Sequence, residues 1–184
     1  MSRLPVRPDR FAAISALLLV ALLPAGARAS EPWDGPAFAA DPKAMVRAAQ
    51  AVPGEEGEAV VVLLLEAFYR YDEAGRETFS QRIVYRIVAP GAHESWSAVE
   101  ERWSPWHQAR PELHARVITP DGAVHLLDPA VLTENGEAQE APDMFEDGRV
   151  LRGPLPAVRP GAVVEQEVTV RETAPFFDRG VVRY

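Results

Sequence analysis

Residues 159–172 read RPGAVVEQEVTVRE, a stretch that predicts a turn followed by a β-strand. Proline followed by glycine suits the two central positions of a type II turn, because proline fixes φ and glycine tolerates a positive φ. In the segment that follows, alternate side chains are apolar and polar. The apolar set is Val164, Val168 and Val170, and the polar set is Glu165, Glu167, Thr169 and Arg171. This period of two is typical of a strand with one face on a hydrophobic core.

Five earlier segments also predict strands, which makes six in all. They are EAVVVLLLEAFYRYD from Glu58, RETFSQRIVYRIVA from Arg76, ESWSAVEERW from Glu94, ELHARVIT from Glu112 and AVHLLD from Ala123. ESWSAVEERW alternates less regularly than the others, which fits an edge strand. Tight turns without alternating helices predict a mainly β fold, an antiparallel β-sandwich-like domain with a short N-terminal helix. The sequence names no pairing partner for the last strand. An unpaired edge there would promote aggregation, so we expect poor solubility at high concentration.

The first 29 residues have the three-part pattern of a secretory signal peptide. Arg3, Arg7 and Arg10 precede the apolar run Phe11–Leu23, and Ala27-Arg28-Ala29 matches the small-x-small cleavage pattern. The apolar run is shorter than the roughly 20 residues that a spanning helix needs. We therefore predict cleavage after Ala29 and an exported protein, periplasmic or extracellular, that has no membrane attachment after cleavage.

Residues 30–57 are predicted to form a leader with a short helix, and residues 58–184 the β-domain. Asp41-Pro42 has the pattern of an N-cap followed by proline at the first helical position. Pro53-Gly54 is expected to end the helix. The apolar side chains that would share one face are Met45, Ala48, Ala49 and Val52.

Charge and cysteine content exclude several functions. The net charge is −8, and the predicted signal peptide carries four arginines and one aspartate, so the remainder is still more acidic. Such a chain lacks the basic surface that binds nucleic acid or anionic lipid. With no cysteine, the chain has neither disulfides nor a thiol nucleophile or thiolate ligand. We predict no cofactor and no metal.

Residues 102–122, RWSPWHQARPELHARVITPDG, are rich in side chains that bind metals or ligands. If Pro120-Asp121-Gly122 forms the hairpin loop, Val117 faces His125, and His114 and His125 lie on opposite faces. If the loop is only Asp121-Gly122, the two histidines share a face but lie about 13 Å apart. Neither register allows a shared zinc ion.

Catalytic groupings are also absent from the sequence. His107 has no nucleophile to activate, and Glu100 and Glu101 would point to opposite faces of a strand. The acidic segment 136–148 could be a calcium loop, but its oxygen ligands lack EF-hand spacing and its central glycine is missing, so a solvated crossover is favoured. We expect no catalytic residue and no enzymatic activity.

Trp103, Trp106 and Arg110 remain as candidate ligand or docking contacts. Tryptophans near an arginine can stack on sugars or peptides, but they can equally form a hydrophobic lid over one end of a sandwich.

The motifs ARVITPDG at 115–122 and LPAVRPGAVVE at 155–165 resemble the N-terminal domain of unknown function of exported bacterial transglutaminase-like proteins. The resemblance covers roughly residues 58–184. It implies an antiparallel β-sandwich placed ahead of a papain-like Cys-His-Asp core. No catalytic residue of that family can be carried over, because this chain has no cysteine. Its ending, RETAPFFDRGVVRY, has the character of mid-domain sequence, so we expect a fragment of a longer protein.

Two functions stay open. The chain could be a non-catalytic accessory module that docks on, or presents substrate to, a transglutaminase-like domain in cis or in trans. Alternatively, it could be a stand-alone periplasmic domain that binds glycan or peptide through Trp103, Trp106 and Arg110. A hydrolase with a metal or carboxylate site is a third, weaker hypothesis, which the residue types present in the chain disfavour.

Overall fold

The computed structural model describes residues 30–92, 96–136 and 147–175, in which one α-helix and eight strands are found. Helix α1 spans Pro42–Ala51. The strands are β1 (Val60–Tyr71), β2 (Glu77–Ile87), β3 (Ala98–Trp103), β4 (Glu112–Ile118), β5 (Val124–Leu126), β6 (Thr133–Gly136), β7 (Arg149–Pro154) and β8 (Val163–Arg171). The predicted signal peptide lies outside the described residues.

The strands form two antiparallel sheets that pack face to face. The large sheet has the order β1-β2-β8-β4-β5, and the small sheet has the order β3-β7-β6. One hydrophobic core fills the space between the sheets, and a second lies between the outer face of the large sheet and α1. The predicted mainly β, sandwich-like fold with a short N-terminal helix is confirmed.

Strand β8 has the alternation that its sequence predicts. Val164, Val168 and Val170 are buried in the core between the sheets. Val163 and Glu165 point the other way, beneath α1 and the leader, and are also fully buried. This face of the strand is therefore covered at its N-terminal end, whereas Arg171 at the other end is exposed.

The predicted turns are present with their expected geometry. Gly161 has a φ of 81°, and the N–H of Ala162 donates to the Arg159 carbonyl, as in a type II turn. In the hairpin between β4 and β5, Gly122 has a φ of 86° and Val117 faces His125. This is the three-residue loop of the two registers considered.

Helix α1 begins as its sequence predicts. The Asp41 carboxylate accepts a hydrogen bond of 2.8 Å from the Ala44 N–H, and Pro42 occupies the first helical position. The helix buries Met45, Val46 and Ala49 on the large sheet. This packing fixes the leader above β2 and β8.

Strands β6 and β7 correct the sequence prediction, which contained six strands. They pair antiparallel with Gly136 opposite Arg149, and they flank the acidic segment that was predicted to be a crossover. Residues 137–146 of that segment lie outside the described residues. TENG is short and polar, and RVLRGP has two adjacent apolar residues followed by an arginine, a glycine and a proline. Neither sequence alternates clearly enough to indicate a strand.

The last strand has pairing partners, which the sequence did not identify. Strand β8 pairs with β2 on one side and β4 on the other, so it lies at the centre of the large sheet. Among the described strands, the edges of this sheet are β1 and β5.

A buried ion-pair network joins the three central strands. Glu165, which is 0% exposed, accepts from Nη2 of Arg82 at 2.7 Å and from Nε of Arg116 at 2.7 Å. It also accepts the N–H of Phe38 in the leader at 2.9 Å. The guanidinium of Arg82 donates to the Gly35 carbonyl at 2.7 Å. One carboxylate therefore connects β2, β4, β8 and the leader.

Replacing Glu165 by glutamine should lower the free energy of unfolding by about 3–5 kcal/mol, because two buried guanidinium groups lose the carboxylate that they share. Urea unfolding at neutral pH measures this loss. Glu167→Gln is the matched control on the same face of β8, and its half-buried side chain should cost under about 1 kcal/mol. Equal losses in the two variants would contradict the importance of the network.

Candidate functional site

The two predicted tryptophan contacts lie in and just after β3, in different environments. Trp103 ends β3 opposite Arg149 and is partly buried. The chain then turns, with the Gln108 N–H donating to the Ser104 carbonyl and the Ser104 N–H donating to the Gln108 side chain. Trp106 follows on this turn and is 54% exposed.

His107 belongs to the framework of this corner. Its ring lies 4.0 Å from the ring of Trp106, and its side chain is buried. Its carbonyl accepts the N–H of Thr173 at 2.7 Å, and its Nε2 lies 4.0 Å from a carboxylate oxygen of Glu172. The histidine therefore ties the corner to the segment after β8.

Arg110 points toward the small sheet. Its Nε lies 3.4 Å from a carboxylate oxygen of Glu134 in β6, and Glu134 also pairs with Arg149 at 2.8 Å. Since Arg149 is the ladder partner of Trp103, Arg110 and Trp103 lie at the same end of this sheet. A ligand at this corner would compete with Glu134 for Arg110. The binding role of Trp103, Trp106 and Arg110 stays a prediction.

The histidine and carboxylate pairs are arranged as the sequence indicates. His114 lies on the leader face of the large sheet, whereas His125 faces Val117 on the inner face. Glu100 pairs on the outer face of β3 with Arg102 at 3.5 Å, while Glu101 points inward. Across residues 30–92, 96–136 and 147–175, no group of three or more His, Asp or Glu side chains is placed to hold a metal ion.

The inner face of β1 is a feature that the sequence did not reveal. The small sheet covers the inner faces of β2, β8 and β4 but leaves that of β1 open. We call the inward side chains of β1 the β1 shelf; they are Val62, Leu65, Tyr69 and Tyr71, each about half exposed or more. Leu65 is 60% exposed and Tyr69 is 51% exposed. A contiguous apolar surface of this kind typically marks an interaction site.

A groove of about 190 Å³ separates the β1 shelf from β3. Its lining residues are Tyr69, Glu77, Phe79, Glu101, Arg102, Gln108 and Val170. β3 is the first strand of the small sheet, so its edge borders this groove. The groove thus combines two aromatic rings and a valine with charged and polar side chains, and the edge of a strand forms its wall.

A deeper cavity of about 30 Å³ opens between the sheets beside β3. Glu101, Gln81 and Gln166 line it. Burial raises the pKa of the Glu101 carboxyl, and the neighbouring Arg102 opposes the shift. The Oε1 atom of Gln166 is buried and accepts no hydrogen bond from the described residues. The cavity therefore places a carboxyl group and one unpartnered amide oxygen beside β3.

A second groove, of about 370 Å³, lies on the opposite face of the large sheet beside the leader. Asp34, Glu66 and Glu167 line it together with the exposed ring of Phe68. Arg82 also reaches this groove, but its guanidinium is engaged by Glu165. The groove is acidic and partly apolar.

The family is shown by a sequence match over residues 73–183 to a domain of unknown function with a solved structure, DUF3857. The chain belongs to the DUF3857 family. This DUF3857 domain also resembles the crystal structure of a "putative protease" from Parabacteroides distasonis ATCC 8503, with a TM-score of 0.58 and 10% sequence identity. The similarity covers 65% of this chain but only 24% of that protein. At this identity it supports the fold alone.

No curated protein matches this DUF3857 chain. Within the described ranges, none of the helices has the length and apolar character needed to cross a membrane.

The raised pKa of Glu101 predicts a pH dependence of stability. A carboxyl with a raised pKa contributes stability that is full below its ordinary pKa and is lost as the pH rises through the folded value. Glu101→Gln should therefore be more stable than wild type at pH 7, by under about 1 kcal/mol because the side chain is partly solvated. This gain should disappear near pH 3.5.

Urea unfolding at the two pH values measures this difference. Glu100→Gln is the control, since Glu100 lies on the exposed outer face of the same strand. A gain in stability that is the same at both pH values would contradict the assigned burial effect.

Proposed function

We propose that this DUF3857 domain is a non-catalytic accessory module of an exported transglutaminase-like protein. In this proposal it docks on, or presents substrate to, a cysteine-dependent core that is not part of this chain. The observation that carries the proposal is the β1 shelf, because an isolated domain has little reason to expose both Leu65 and Tyr69 on an inner sheet face. The shelf is the surface that a neighbouring domain would bury.

The comparisons and the residue inventory support this proposal. The similar P. distasonis protein is more than four times as long as the matched region, so a DUF3857-like fold there is one part of a larger chain. This chain has no cysteine, and Glu100 and Glu101 face opposite sides of β3. Binding therefore fits the available side chains better than catalysis.

Export is part of the proposal. The charged, apolar and small-residue regions of residues 1–29 support a signal peptide with cleavage after Ala29. The lack of cysteine is compatible with an oxidising compartment, since no thiol is available for unwanted disulfides. We propose a periplasmic or extracellular location.

A stand-alone glycan- or peptide-binding domain is the second candidate. The observation that favours it is the exposed ring of Trp106, which could stack on a sugar or an aromatic side chain. Trp103 and Arg110 contribute less, because Trp103 is partly buried and Arg110 already contacts Glu134. We therefore place this function second.

Leu65→Asp tests the docking surface. We expect it to weaken binding to a cysteine-containing transglutaminase-like domain by about tenfold or more, because a charge would be buried against an apolar partner. Isothermal titration calorimetry with the purified domains measures the affinity. Circular dichroism and urea unfolding should show an unchanged fold, since Leu65 is largely exposed already.

Leu126→Asp is the matched control. Leu126 is 70% exposed in β5, at the opposite edge of the same sheet. It should leave the affinity unchanged within about twofold. Equal effects of the two variants, or no association of the wild-type domains, would remove the proposal.

A further inference from the structure

The edge of β3 and the β1 shelf border the same space. Residues of β3 face β2 and β8 across the inner core, since Val99 lines a cavity with Ile83 and Val168. The opposite end of the small sheet lies near β5, where Leu132 and Leu127 pack against Gly153. The exposed edge of β3 is therefore the one that points toward β1.

The described residues leave a position for one more strand at this edge. Among the described residues, β3 has a neighbouring strand on one side only, which is β7. Strands in a sheet lie about 4.8 Å apart, so the next position beyond β3 lies above the β1 shelf. A strand placed there would extend the small sheet to four strands and cover the shelf with one face.

The charge beside this position is negative. Glu101 points inward from β3, and the buried Oε1 of Gln166 has no donor among the described residues. Gln81 lines the same cavity of about 30 Å³. A cationic donor would satisfy these acceptors together.

We propose that the partner of this domain binds by β-strand addition. An extended segment of the partner pairs with β3, places apolar side chains on the β1 shelf and inserts one lysine or arginine beside Glu101. This inference rests on the proposed docking function and specifies the chemistry of the partner. Main-chain hydrogen bonds supply affinity in this mode, and the side chains that alternate along the strand supply specificity.

Electrostatic repulsion favours binding of a different partner over pairing of two copies of this chain. Pairing of two copies through β3 would bring two Glu101 carboxylates into one groove, and like charges facing each other across strands are destabilising. The chain as a whole carries a net charge of −8. A basic residue on the incoming strand is therefore the complementary choice.

A pair of peptides tests the inference. The first is a blocked, fluorescein-labelled heptapeptide, Thr-Val-Thr-Lys-Thr-Val-Thr, whose two valines and lysine share one face when extended. The second has norleucine in place of lysine. Fluorescence polarisation with the purified chain at low salt should show the lysine peptide binding about tenfold tighter or more. Hydrogen exchange should then slow at amides of Ala98–Trp103.

Two variants of adjacent glutamates localise the effect. Glu101→Gln should abolish the preference for lysine, whereas Glu100→Gln should retain it because Glu100 lies on the outer face of β3. The inference is wrong if wild type binds both peptides equally, or if no binding of the lysine peptide is detected up to about 1 mM. It is also wrong if Glu101→Gln keeps the preference.

The result separates this inference from the proposed function. If Leu65→Asp weakens association with the transglutaminase-like domain and Glu101→Gln does not, docking stands and strand addition beside Glu101 is wrong. If Leu65→Asp has no effect, the proposed docking function itself is wrong.

Discussion

The carboxylate of Glu165 is the interaction on which the arrangement of the large sheet depends. It lies between Arg82 of β2 and Arg116 of β4, and all three side chains are buried. A shift in register by one residue would turn one of these charges toward the apolar core between the sheets. Because an unpaired buried charge is strongly unfavourable, the network opposes wrong registers more than it adds net stability.

The same carboxylate also fixes the leader. Phe38 donates its N–H to Glu165 while adopting a φ of 60°, a backbone conformation that residues other than glycine rarely take. The guanidinium of Arg116 donates to the Ala40 carbonyl and lies 5.9 Å from the centre of the Phe38 ring. The leader therefore covers charged groups that would otherwise meet water, and α1 completes the outer core beside it.

The sequence could predict the parts of this structure that depend on local chemistry. Proline and glycine identified the turns at Pro160-Gly161 and Pro120–Gly122, and alternation assigned the side chains of β8 to the correct faces. Alternation could not show that the polar face of β8 is covered at its N-terminal end, because the leader that covers it lies far away in the chain. In the short strands β6 and β7, the alternation of apolar and polar residues is too weak to predict a strand.

The candidate site was predictable only in part. Trp106 is exposed as a binding residue would be, but the contact of Arg110 with Glu134 depends on β6, a strand that the sequence did not reveal. The β1 shelf is exposed because, among the described strands, a five-stranded sheet packs against a three-stranded one. The number of strands in each sheet depends on the whole topology and not on local sequence. In the run VVVLLLEAFYRY, apolar residues on both faces of an edge strand are the one local sign of it.

The central place of β8 has a consequence for how the protein is made. Contacts to Glu165 come from residues 127, 83 and 49 positions earlier in the chain. A growing polypeptide that has not yet reached β8 contains β2 and β4 but lacks the strand between them, so neither the inner core nor the ion-pair network can form. Loop closure over such separations is slow, and folding is completed only after synthesis of nearly the whole described chain. For a protein that crosses a membrane in an extended state, this order would keep the polypeptide unfolded until it has crossed.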